Sequence, residues 1–363
     1  MVTISLCMIV KNEEQTIGRC LNLFASIVDE IIIVDTGSTD RTKEICLDYT
    51  NKVFDFDWID DFSAARNYAY SFATMDYIMW VDADDVILVE DLQKFMDLKH
   101  TLDTYVDVVM MKYNTGLDIR GNSTFSFYRE RLTKRKNNYT WKEPVHEYLE
   151  IFGNIKHCDI SITHGKIHKE RDNLRNIKIY EAQIHNNIPL TTRGHYYYAR
   201  ELKGLDRYED AITHFEIFLE GNKGWKEDNI AACQELAKCY IEVENRIKAL
   251  ETLFRSFIYD LPRAETCCLI GYYYQDMEDY KRSLFWFEFI LTLQKSDDIL
   301  GFVQHDCWDY TPFIECAVCY DKLGDYEKAE YYNNKALEIK PQSAQALLNK
   351  KYFEEKNKLR KED

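Results

Sequence analysis

Near residue 170 of this 363-residue chain the hydrophobic period changes. Before that point short apolar runs alternate with helix-like segments; after it strand signals cease and apolar residues recur at helical spacing. A chain built this way is expected to hold two domains, an α/β one with a mostly parallel sheet over residues 1–170 and an all-α one over 171–363. A prior of about 150 residues per domain agrees with that division.

The second half repeats itself. Aligning its turn residues superposes Ala199, Ala237, Gly271 and Ala317, then Leu202, Tyr240, Tyr274 and Tyr320, then Ala211, Ala249, Ser283 and Ala329. Successive members of the last set are 38, 34 and 46 residues apart, near the tetratricopeptide period of about 34. Small residues let the two helices of a hairpin approach, and large ones fill the groove against the next hairpin, so a stack of units buries what one cannot. Arrays of this kind bind peptides or self-associate, and a homodimer through the repeats is expected. The 46-residue spacing implies an insertion around Ser296 to Asp309, whose Asp297, Asp298, His305 and Trp308 make it a contact loop.

In the first half, strands are expected at Thr3–Val10, Glu30–Val34, Lys52–Phe56, Tyr77–Val81, Asp107–Tyr113 and Ser126–Leu132. Helices are expected at Glu13–Phe24, at Thr39–Thr50 behind a Ser38 or Thr39 cap, and at Ser63–Ala73. The run Tyr77-Ile78-Met79-Trp80-Val81 is followed at once by Asp82, Asp84 and Asp85. Carboxylates at the end of a buried strand are costly unless paired or bound to a cation, and ligands of open α/β sheets bind beyond the carboxyl ends of the strands. A cation holding a phosphorylated substrate is expected there.

The net charge of −16 argues against a nucleic-acid partner, and Lys134-Arg135-Lys136 is too short to reverse it. Eleven cysteines are scattered through a chain too large to need staples, so reduced, cytoplasmic thiols are expected. Cys267-Cys268 and the Cys316/Cys319 pair read as core, since no partner pair stands at zinc spacing. No apolar run of about 18 residues marks a transmembrane span, and the N-terminal apolar run lacks a basic segment before it.

Taken in order, Lys11-Asn12-Glu13-Glu14, Asp35-Thr36-Gly37-Ser38-Thr39-Asp40, Asp61-Phe62-Ser63-Ala64-Ala65-Arg66-Asn67 and Asp82-Ala83-Asp84-Asp85 resemble the family 2 glycosyltransferases of GT-A fold. With its repeat tail the chain is similar to bacterial repeat-bearing members, including those that glycosylate bacteriocin peptides of the sublancin type. The resemblance implies a Rossmann-like GT-A domain and an inverting transfer from a nucleotide-sugar, a UDP-sugar by preference, with Mg²⁺ or Mn²⁺ on the diphosphate. It implies that Asp84 ligates the metal directly, that Asp82 ligates it and acts partly through the ribose, and that Asp35 accepts a hydrogen bond from the base. Lys11 and Glu13 would border the nucleotide.

Arg66 would reach the nucleotide or its phosphates; the alternative is a surface ion pair with Asp60 or Asp61. His164 would complete the metal site, with His146 as competitor. Trp58 and Phe62 read as packing beneath the loop. An inverting transfer needs a carboxylate on the acceptor side. Glu147 is the first choice and Glu143 the second, although the family often has an acidic pair where this chain has His146-Glu147. The expected acceptor is a Ser, Thr or Cys side chain of a peptide presented by the repeats. The alternatives are a cell-surface saccharide acceptor, or a scaffold whose transferase half is degenerate.

Overall fold

The structure, a computed structural model, describes residues 1–118, 121, 123–165, 174–296 and 299–362, with side chains described to 356. The chain divides into two compact units, Met1–Leu190 and Thr191–Asp363, each described by itself. The expected boundary near 170 falls among residues 166–173, outside the described ones, as do Asp297 and Asp298.

The first unit opens as β1 (Ile4–Val10), α1 (Ile17–Phe24), β2 (Glu30–Asp35), α2 (Thr42–Leu47), β3 (Val53–Asp55), α3 (Phe62–Ser71) and β4 (Tyr77–Trp80). It continues as β5 (Asp85–Ile87), α4 (Val89–Thr101), β6 (Val108–Leu117), β7 (Ser123–Lys134), β8 (Trp141–Lys142), β9 (Tyr148–Leu149), β10 (Ile155–His164) and α5 (Arg175–His185). Its main sheet runs in the order β3-β2-β1-β4-β7-β6-β10-β5. The first four strands are parallel, β10 is parallel to β6, and β7 and β5 run against their neighbours. β1 is apolar almost throughout because helices cover both faces: Leu6 and Met8 join Ile17, Leu21 and Phe24 of α1, while Cys7 packs with Ala69 and Ala73 around α3.

α2 starts three residues later than expected. Neither Ser38 nor Thr39 caps it; Asp40 Oδ1 accepts the Thr42 amide at 3.0 Å, while Ser38 and Thr39 bond to the Asn12 segment. α1 likewise begins at Ile17, because residues 13–16 form turns in which Thr16 Oγ1 donates to the Glu13 carboxylate at 2.6 Å. α3 is capped by Asp61, whose Oδ1 accepts the Ala64 amide at 2.9 Å.

The second unit holds helical hairpins: α6 (Thr192–Gly204) with α7 (Tyr208–Glu220), α8 (Lys226–Glu242) with α9 (Arg246–Arg255), α10 (Ala264–Asp276) with α11 (Tyr280–Ile290), and α12 (Tyr310–Lys322) with α13 (Tyr326–Ile339). A further helix, α14 (Ala344–Glu362), packs on α13. The residues superposed by the repeat are buried in every hairpin: Ala199, Leu202, Ala211, Ala237, Tyr240, Ala249, Tyr274, Ser283, Ala317, Tyr320 and Ala329. At Gly271 an added Cβ would stand 2.6 Å from Phe287 Cζ, so that ring occupies the space a methyl takes in the other units.

Each hairpin turns through one left-handed residue at the same place, Asp206 (φ 58°), Glu244 (φ 59°), Glu278 (φ 57°) and Gly324 (φ 85°). The next amide then reaches back to the carbonyl five residues before it, at 3.0, 2.8, 2.9 and 2.9 Å for Arg207, Asn245, Asp279 and Asp325. Cys267, Cys268, Cys316 and Cys319 are buried together in the core around α10 and α12. No described helix is long and apolar enough to cross a membrane.

Candidate active site

The carboxyl ends of β1, β2 and β4 lie side by side, since Val10 pairs with Asp35 and Cys7 with Trp80. At the β2 end, Asp35 Oδ1 accepts the amides of Gly37 and Ser38 at 2.9 and 2.8 Å. That turn needs Gly37 at φ 97°. Asp35 is buried, and its Oδ2 has no hydrogen-bond partner among the described residues. A buried acceptor left over in this way fits a donor arriving with a ligand. Lys11 is exposed on the adjoining β1 loop, where the Glu13 amide donates to Thr42 Oγ1 at 2.6 Å.

The chain between β4 and β5 carries the acidic cluster. The Asp85 amide bonds the Asp82 carbonyl and the Asp82 amide donates to Asp85 Oδ2, both at 3.0 Å, which closes the turn around Ala83 and Asp84. Asp85 therefore points inward, fully buried. It accepts from Arg131 Nη1 at 3.0 Å and from the Tyr113 hydroxyl at 2.8 Å. Burial, with repulsion from Asp82, pushes the Asp85 carboxyl up to about 6 against the pull of Arg131. Arg131, also fully buried, stacks on the Trp80 and Tyr113 rings at 3.9 and 4.5 Å.

Asp84 and His164 meet on the other side of the turn. β10 runs against β5 with His164 opposite Asp85, and His164 Nδ1 lies 3.2 Å from both Asp84 Oδ1 and the Tyr113 hydroxyl. Asp84, Asp85 and His164 each offer a ligand atom, all within 4.8 Å of one another. Carboxylate oxygens with one imidazole fit a hard or borderline divalent cation. The other bonds of Asp85 mark it as support for the turn. His146 is not in that group; it stands at φ 53° in the loop before β9.

Arg66 corrects the surface-pair alternative. Asp60 bonds Trp58 Nε1 and Asp61 caps α3, while Arg66 turns inward along α3 and binds Asp82 Oδ1 at 2.9 Å and Glu147 Oε1 at 2.7 Å. Its guanidinium lies 4.8 and 4.9 Å from the Trp80 and Trp141 rings. Burial works against ionisation of Asp82, yet Arg66 and Arg131 hold its carboxyl below the usual range. Glu143 lies in the same loop as Glu147 at φ 73°, and the adjoining Pro144 carbonyl accepts the Phe62 amide at 2.8 Å. Trp58 and Phe62 pack edge to face at 4.6 Å.

Two groups, then, meet at this edge: Asp84, Asp85 and His164, and Arg66 with Asp82 and Glu147. Arg131 and Tyr113 join them without standing in any motif. The sequence sign of Arg131 is the charged triplet Arg129-Glu130-Arg131 within a strand-like segment.

Comparison with known proteins bears on both halves of the chain. Residues 5–153 match the model for Glycosyl transferase family 2. A tetratricopeptide repeat-containing protein of Synechococcus elongatus is 45% identical over 41% of this chain and 36% of its own length. The SPbeta prophage-derived glycosyltransferase SunS of Bacillus subtilis is 26% identical over 62% of this chain and 55% of its own. The matched stretches thus span little more than half, or less, of these relatives. Among solved structures, a tetratricopeptide repeat protein from Parabacteroides merdae aligns with 50% of this chain and 66% of its own, at 16% identity and a TM-score of 0.40. A score this low leaves the repeat assignment resting on the hairpins themselves. Over residues 5–153 the chain is thus similar to glycosyl transferase family 2.

Proposed function

We propose that the protein is a metal-dependent, inverting glycosyltransferase that moves a sugar from a nucleotide donor, a UDP-sugar by preference, to a Ser, Thr or Cys side chain of a peptide. The observation that carries this reading is the gathering of Asp84, Asp85 and His164, in and beside the turn that follows Asp82, at the carboxyl edge of a stretch that matches family 2. In our reading Asp84 and His164 hold Mg²⁺ or Mn²⁺ and Asp82 shares the site with Arg66. A cation there stabilises the charge that grows on the departing nucleoside diphosphate.

The chain's own groups do the rest. Asp35 Oδ2, buried and without a partner among the described residues, accepts a hydrogen bond from the base, with Lys11 and Glu13 at the border of the adjoining β1 loop. Arg66 positions Asp82 and Glu147 together and brings positive charge to the phosphate side. Glu147 is the carboxylate we assign as base: Arg66 binds Oε1, and Oε2 would take the acceptor's proton as the sugar is attacked opposite its leaving group. Glu143 is the alternative from the same loop. The eleven free cysteines, ten of them buried, suit a reducing cytoplasm.

The test is turnover of UDP-sugars, with and without EDTA, by the full chain and by Asp84→Ala. Hydrolysis and transfer should both need the metal and fall at least about a hundredfold in the variant. Turnover indifferent to chelation and to Asp84→Ala overturns the metal mechanism. Mass spectrometry of peptides carrying Ser, Thr or Cys decides the acceptor, and transfer to a saccharide alone overturns the peptide assignment.

A further inference from the structure

The first hairpin of the second unit departs from its own repeat at three positions. His195 of α6 stands where the later units have Cys233, Cys267 and Phe313, and His214 of α7 where they have Thr252, Trp286 and Tyr332. In the later units these residues pack: Cys267 and Trp286 share a core, and the rings of Phe313 and Tyr332 lie 6.2 Å apart. Asp210 stands where the others carry Lys248, Arg282 and Lys328, bases that lie over the repeat tyrosines Tyr240, Tyr274 and Tyr320. The first unit has Leu202 in place of that tyrosine, so a base there would have no ring to cover.

The two imidazoles meet across the hairpin. His195 Nδ1 lies 2.8 Å from His214 Nδ1, the ring planes differ by 25°, and the Tyr198 ring stands edge to face with His214 at 4.7 Å. Both histidines are half-buried. Burial, with the neighbouring imidazole, pushes His214 down to about 4, and burial lowers His195 as well, so the pair is neutral at pH 7. Asp210 stands one helical turn before His214, near enough for its charge to act on that ring. Its carboxylate holds Arg207 at 2.9 and 2.8 Å, but the two side chains are 55% and 43% exposed, so the pair is easily opened.

We infer that His195, His214 and Asp210 form a binding site for a divalent transition cation of the Zn²⁺ class, built into the hairpin itself. Imidazole nitrogens favour zinc and its neighbours, whereas the carboxylate-rich group at Asp84 suits Mg²⁺ or Mn²⁺. At metal–nitrogen distances of about 2.0–2.1 Å, two ligands at the tetrahedral angle stand about 3.3 Å apart. The 2.8 Å between the imidazoles therefore widens by about half an ångström on binding, which the soft χ2 torsion of histidine allows. The ring that donates its Nδ1 proton carries it on Nε2 instead, so that both Nδ1 lone pairs face the ion. Asp210 leaves Arg207 to become the third ligand, and water takes the fourth position. Such an ion ties α6 to α7 and stabilises the hairpin by mass action. This site does not depend on the proposed transfer reaction, and either can fail alone.

The experiment is calorimetric titration of the full chain with Zn²⁺ in a large excess of Mg²⁺, which competes poorly for imidazole. It is run with Asp84→Ala in place, so that the cluster of the first unit does not compete for the ion. One equivalent should bind, and the melting temperature should rise with occupancy. In that background His195→Gln and His214→Gln should each weaken binding at least about tenfold, and Asp210→Asn several-fold. Arg207→Gln releases Asp210 and should tighten binding several-fold, which the loss of a merely structural contact would not do. Should a histidine variant melt early without metal, Asp210→Asn and Arg207→Gln decide, since both positions are exposed. Zn²⁺ uptake that is absent, or that ignores either the histidine changes or the changes at Asp210 and Arg207, overturns the inference.

Discussion

Glu147 meets the guanidinium of Arg66 at 2.7 Å, with side-chain exposures of 14% and 8%. The residue chosen as base is therefore also a counter-ion of a buried cation, and Asp82 is the other. Removing one partner of a pair this enclosed strands charge in a poor solvent. Glu147→Gln should cost about 2 kcal/mol of stability, allowing for the part of the pair that water reaches. A urea midpoint unchanged from the parent would show that the pair carries no stability; a large loss of transfer with no loss of stability would favour a purely chemical role.

The Tyr113 hydroxyl donates to Asp85 at 2.8 Å and lies 3.2 Å from His164 Nδ1, joining the turn that shapes Asp82–Asp85 to the imidazole. Tyr113→Phe deletes that link and keeps the ring on Phe127 and Arg131. On the proposed metal site, a group that orients the ligands in this way is typically worth about 10–100-fold in metal affinity. Mn²⁺ affinity, followed by the electron paramagnetic resonance of the free ion, should fall within that range with the fold intact. An unchanged affinity would make Tyr113 a packing residue.

Acid should unfold the first unit partly through Glu30. This carboxylate is buried at the start of β2, where Lys52 and Ser5 bond to it and Thr74 donates its amide at 2.9 Å and its hydroxyl at 2.8 Å. Burial opposes its charge, but these donors outweigh burial and bring its pKa down to about 2. A depressed carboxylate stabilises the fold above its unfolded value of about 4.3, and that contribution is lost as the pH falls through the folded value. With Lys52 partly in water, Glu30→Gln should cost about 2 kcal/mol at pH 7. The gap from the parent should close between about pH 4.5 and pH 2. Melting curves over that range check it, and a gap independent of pH would assign the loss to packing.

Much of this arrangement is legible in the residue order, and the rest is hidden for identifiable reasons. The apolar run before Asp82 locates β4, and the spacing of Ala211, Ala249, Ser283 and Ala329 locates the second helix of each hairpin, because burial imposes both patterns. The partners of Arg66 are 16 and 81 residues away, so local sequence offers only Asp60 and Asp61. Arg131 and Tyr113 stand on strands with no motif, and their bonds to Asp85 exist only once β7 pairs with β4 and β6 with β7. α2 is shorter than its period suggests because Asp40 takes the cap bond that Ser38 or Thr39 was expected to make.

The repeated turn gives the last prediction. Asp206, Glu244 and Glu278 adopt φ near +58°, where a Cβ crowds the backbone, while the fourth hairpin places Gly324 at the same position. The strain costs about 1–2 kcal/mol for an L residue, and glycine returns about 0.4–1 kcal/mol of that through its freer unfolded chain. Glu278→Gly should therefore raise stability by about 0.5–1 kcal/mol, and Gly324→Ala should lower it by a similar amount. Glu278→Ala keeps the Cβ and serves as the control, since a gain from that change would come from removing charge. Thermal melts of the three variants decide it. The backbone reading is abandoned if Glu278→Gly and Glu278→Ala shift the midpoint equally.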